Sequence, residues 1–111
     1  MNWKLLESID QIAEILTISK KVPVLIFKHS TRCGISRFVL KNFERSFNLS
    51  ENEIEAYFLD LIAYRSISNE IAERFTVIHQ SPQVIVIKNR EVVYHNSHSD
   101  ISVEGIKKAI G

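Results

Sequence analysis

Residues 22–27, Val22-Pro23-Val24-Leu25-Ile26-Phe27, form an almost unbroken apolar run between Lys20-Lys21 and Lys28-His29. A run this short, rich in strand-forming types and apolar at odd and even positions alike, suits a strand buried on both faces of a sheet, as a central parallel strand is. The rest of the chain is read around it. On its N-terminal side, Ser8 with Gln11 resembles a capping box, and Ile9, Ile12, Ala13 and Leu16 recur at helical spacing. That predicts a helix over 8–19, with a short strand around 3–6 before it. On the other side, Ile35, Phe38, Val39, Phe43 and Phe47 predict a helix over 33–47, with Ser30 and Thr31 as its caps. Residues 56–62 read as a second buried strand and 68–75 as a short helix. Two strands, 84–87 and 92–94, flank Lys88-Asn89-Arg90-Glu91, the spacing of a β-hairpin, although Arg90 stands where glycine is usual. A last helix is expected from Ser102, burying Val103, Ile106 and Ile110.

Composition excludes several classes. The chain of 111 residues is 45% apolar and 24% charged, with no repeat or flexible linker, so one folded domain over 1–111 is expected. A net charge of +1 gives no field that would recruit nucleic acid or an anionic membrane. The first sixteen residues carry Glu7, Asp10 and Glu14 and no long apolar core, which reads as neither a signal peptide nor a spanning helix; a cytoplasmic protein is expected. The single cysteine, Cys33, excludes an internal disulfide and a four-cysteine zinc site. No pair among His29, His79, His95 and His98 has the i, i+4 spacing of helical metal ligands, and no metal or bound cofactor is assigned.

Strands and helices that alternate and then end in a hairpin and a helix make an α/β sandwich, a central mixed β-sheet flanked by helices on both faces. The thioredoxin-like fold has this order of elements. Within it, Cys33 falls at the first turn of a helix directly after a buried strand, where free N–H groups, the positive end of the helix dipole and the neighbouring Arg32 favour the thiolate. Thiolate is the nucleophile of disulfide exchange, and Gly34 leaves room for an incoming sulfur. Where dithiol proteins carry a second cysteine, this chain has Ser36, whose hydroxyl can donate to the Cys33 sulfur or serve the helix end. With no resolving thiol, any cycle has to end on an external one. Ser81-Pro82, just before the strand at 84–87, sits where such folds place a cis proline facing the nucleophile. Cys33 is the candidate catalytic residue, and Thr31, Arg32, Gly34, Ile35, Ser36, Ser81 and Pro82 are the candidate substrate-contacting residues.

The sequence resembles the monothiol bacilliredoxins of the bacillithiol system. The likeness rests on Phe27-Lys28-His29-Ser30-Thr31-Arg32-Cys33 with Ile35-Ser36, on residues 59–65 running into Ile67-Ser68-Asn69, on His79-Gln80-Ser81-Pro82-Gln83-Val84, and on Ser97-His98 with Asp100-Ile101. One departure is Gly34, where relatives more often carry proline. The resemblance implies that Cys33 removes bacillithiol from S-thiolated client proteins, with bacillithiol as co-substrate and another thiol closing the cycle. It also implies an anion contact for Arg65, for which a solvated surface role is the alternative. Two other readings share the fold. Cys33-Gly34-Ile35-Ser36 differs by one residue from the C-G-F-S of monothiol glutaredoxins, which carry a [2Fe-2S] cluster, but the glycine pair that holds glutathione has no counterpart here. Arsenate reductases of the glutaredoxin-like type carry arginine before the cis proline, where this chain has Ser81.

Overall fold

The computed structural model describes all residues, 1–111. Its elements in order are β1 (Lys4–Leu5), α1 (Asp10–Ile18), β2 (Val24–His29), α2 (Gly34–Ser46), β3 (Glu55–Asp60), α3 (Arg65–Phe75), β4 (Gln83–Lys88), β5 (Glu91–Ser97), a 3-10 turn (His98–Asp100) and α4 (Val103–Ile110). The strands form one sheet in the order β1-β3-β2-β4-β5. β1 and β2 run parallel to β3, while β4 is antiparallel to β2 and β5 to β4. The apolar run at 22–27 therefore feeds the middle strand, and all six residues of β2 are buried.

The side chains of β2 alternate between two cores. Val24 and Ile26 join Leu59, Ile85 and Ile87 beneath Ile12 and Ile15 of α1 and Ile67 and Ile71 of α3. Leu25 and Phe27 join Val84 and Val86 on the other side, beneath Phe43 of α2 and Val103 and Ile106 of α4. Helices thus cover both faces, as expected for a strand built on an almost unbroken apolar run. None of them is long and apolar enough to cross a membrane.

Several boundaries differ from the sequence reading, three of them for a plain local reason, and the hairpin turn has its own. β2 continues through Lys28 and His29, because both side chains find buried hydrogen-bond partners instead of solvent. At α1, Gln11 Oε1 does accept the Ser8 N–H at 2.9 Å, but Ser8 Oγ takes the Asp10 N–H at 3.2 Å and the helix proper starts at Asp10. α3 begins at Arg65, a turn before Ser68, since Asp60 Oδ1 accepts the Ile62 and Ala63 N–H groups and its carbonyl the Tyr64 N–H, folding the chain directly into the helix. The hairpin turn holds Asn89 and Arg90 at φ 52° and 68°. Its conformation without glycine is braced from outside: the Asn89 N–H donates to the Ser19 carbonyl at 2.7 Å and the Arg90 N–H to Ser19 Oγ at 3.0 Å.

Candidate active site

Lys28 stands opposite Gln83 in the antiparallel β2–β4 register, so the chain leaving β2 and the chain entering β4 emerge at the same end of adjacent strands. The first leads through Ser30, Thr31 and Arg32 to Cys33; the second arrives through Ser81 and Pro82. This is how residues nearly fifty positions apart in sequence come to the same end of the sheet.

Cys33 is the N-cap of α2, with extended backbone at φ −105° and ψ 119°, and its thiol is free and half-buried. The expected caps Ser30 and Thr31 do not cap: α2 has no side-chain cap hydrogen bond. The main chain does that work. The Cys33 N–H donates to the Ser30 carbonyl at 3.2 Å, the Arg37 N–H to the Cys33 carbonyl at 3.1 Å, and Arg37 Nη1 to the Thr31 carbonyl at 3.1 Å. A guanidinium one turn along the helix thus straps the turn that carries the cysteine, a contact the sequence reading missed.

Ser36 faces inward and is fully buried. Its hydroxyl, expected either as a donor to the Cys33 sulfur or in the service of the helix end, lies 2.7 Å from His29 Nδ1 and accepts the Ser30 N–H at 3.1 Å. Thr31, Arg32, Gly34 and Ile35 are exposed around the thiol. At the same end of the sheet, where the chain enters β4, the Ser81–Pro82 peptide bond is cis, and the Pro82 carbonyl accepts the His98 N–H at 3.0 Å. Ser81 Oγ is buried without a partner. A groove of about 400 Å³ runs along α2 from Ile35 and Phe38 to His98 and Ile101.

Behind the site on the α1/α3 face, Lys28 is fully buried. Its amine donates to the Ser68 carbonyl at 3.1 Å and lies 3.5 Å from His79 Nδ1, and burial pushes its pKa down to about 8. Burial likewise holds the pKa of His29 and His79 below the usual histidine value, with Lys28 and Arg65 adding to the effect at His79. The four histidines converge on no metal site.

The family model for monothiol bacilliredoxin BrxC matches residues 4–106. The chain belongs to the monothiol bacilliredoxin family. A solved thioredoxin-fold protein assigned as an oxidoreductase is 33% identical, with 96% of this chain and 92% of that chain covered and a TM-score of 0.80. Thioredoxin from Malassezia sympodialis (Mala s 13) is 20% identical over 98% of this chain and 88% of its own, TM-score 0.72. Fasciola hepatica thioredoxin is 17% identical over 96% and 95%, TM-score 0.66. The last two likenesses speak to the fold alone. This bacilliredoxin is a thiol-disulfide oxidoreductase with one cysteine, and in it sequence motifs from four separate blocks fall around one end of one sheet. Arg65, the anion contact implied by the resemblance, is exposed on the first residue of α3. The sequence shows Lys28 and His29 as the polar end of an apolar run and as part of the first motif of the resemblance, with His29 four residues before Cys33 and packing at the strand edge its expected role; their burial is a consequence of how far β2 extends.

Proposed function

We propose that this bacilliredoxin removes bacillithiol from S-bacillithiolated proteins, with Cys33 as the nucleophile. The observation that carries the reading is a free, half-buried thiol at the N-cap of α2, at the end of the sheet where Pro82 leads into β4, in a chain with no second cysteine. The Cys33 thiolate attacks the bacillithiol sulfur of the client's mixed disulfide; that S–S bond breaks, a Cys33–bacillithiol disulfide forms, and the client cysteine leaves as a thiolate and takes a proton. Client sulfur is reduced and Cys33 oxidised, so the exchange balances without an added oxidant. A second bacillithiol thiolate then attacks the adduct, leaving Cys33 reduced and bacillithiol disulfide as product. Thr31, Arg32, Gly34, Ile35 and Ser81 line the approach, and Ser36 acts from beneath.

Incubating the protein with a bacillithiolated client, without free thiol, should give reduced client and one bacillithiol adduct per chain on Cys33, then stop. Free bacillithiol should restore turnover, and Cys33→Ser should abolish both. A client that keeps its bacillithiol beside an unmodified Cys33 in the mass spectrum would refute the assignment.

A further inference from the structure

His29 is four residues before Cys33 and 4% exposed, held with its ring centroid 5.4 Å from that of Phe58. Its only recorded side-chain hydrogen bond is to Ser36 Oγ at 2.7 Å. Ser36 is tied in turn to the Ser30 N–H, and the Ser30 carbonyl to the Cys33 N–H. Both backbone polar groups of Ser30 are thus held, its N–H by Ser36 and its carbonyl by the backbone of the cysteine.

We propose that His29 is a positioning residue for the Cys33 thiol: through Ser36 and Ser30 its imidazole fixes the turn that presents the sulfur. This rests on the reading of Cys33 as the reacting thiol. The hydrogen-bond inventory fits. A serine hydroxyl has one proton and two lone pairs; with neutral imidazole accepting the proton at Nδ1, a lone pair of Ser36 Oγ remains for the Ser30 N–H. Burial keeps the ring neutral at neutral pH, consistent with that assignment. The arrangement also accounts for a serine where a dithiol protein has its resolving cysteine: Ser36 here serves the turn instead of a second exchange step.

Asparagine carries its polar atoms on Cγ, as histidine carries Nδ1, whereas leucine fills the pocket beside Phe58 with no hydrogen bond. The clamp and mere packing therefore rank the two substitutions in opposite order. The rate of iodoacetamide labelling of Cys33 at pH 7 should be within about twofold of wild type in His29→Asn and slower by about tenfold in His29→Leu, because misplacing a reacting group is costly in rate even when the fold survives. Ser36→Ala should lose as much as His29→Leu, and the double variant no more than either, as expected for one chain of contacts. Thermal unfolding should rank leucine at or above asparagine. If labelling follows that stability order, or if the two losses multiply, the assignment is overturned. A wild-type thiol that labels no faster than free cysteine would overturn the Cys33 reading and this one together; a fast wild type with His29→Leu unaffected would overturn this one alone.

Discussion

Lys28 carries an ammonium group into the middle of a sheet where no carboxylate lies within ion-pair distance. Two hydrogen-bonding contacts, to the Ser68 carbonyl and His79, offset part of the desolvation, and the depressed pKa of about 8 measures what they leave uncompensated. Methionine matches the length of the lysine stem and needs no partner. Lys28→Met is expected to raise stability by about 1–2 kcal/mol at pH 7, since replacing a buried charge by an apolar group of similar volume is often stabilising. His79 Nδ1 would keep Ser68 Oγ, 3.2 Å away in the wild type, as a partner. Urea denaturation reads the change directly, and a midpoint below wild type would show that the amine's hydrogen bonds outweigh its burial.

At the scale of the element, α2 starts without a side-chain cap and with glycine in its first turn, where a glycine has no conformational task. A Cβ on Gly34 would meet only Arg37 Nη2 at 3.8 Å, an ordinary contact, and Gly34 is not among the positive-φ residues. Gly34→Ala is therefore expected to stabilise by about 0.5 kcal/mol, chiefly by restricting the unfolded chain, and to raise the melting temperature by about 2–4 °C. Calorimetry decides, and a fall would place an unseen demand on that backbone. The sequence made α2 legible because its apolar stripe repeats at helical spacing, as it does in α4, where Ser102 Oγ does accept the Gly105 N–H at 3.1 Å, and it made β2 legible because its apolar run is almost unbroken. The ends were harder to read. Side-chain caps were expected at Ser30 and Thr31 because those types often cap, whereas the backbone of Cys33 and the guanidinium of Arg37 hold the turn. Neither contact is encoded by spacing along one element; both depend on how the turn after β2 packs on the helix. Ser36 shows the same limit, since its partner His29 belongs to a different element.

Across the whole molecule, three basic groups, the buried Lys28 and His29 and the half-buried His79, have their pKa values held below those of an unfolded chain. Their effect on stability has one sign. Wherever the unfolded state binds more protons than the folded one, stability rises with pH. For the two histidines that window lies below about pH 6.5, so their contribution is complete above that pH and is lost as the pH falls toward their folded values. For Lys28 the window lies between about 8 and 10.5: below it the folded protein holds a buried charge, and the penalty is relieved as the pH climbs through it. Melting temperature measured from pH 5 to pH 10 should therefore climb through the acid range, level off near neutrality, and climb again above pH 8 until other groups intervene. Lys28→Met should remove the second rise and leave the first. Persistence of the alkaline rise in that variant would assign it to another group. An acid limb that survives intact in His29→Asn would leave His79 as its source and free His29 from any part in the pH dependence, without touching its place in the Ser36 contact.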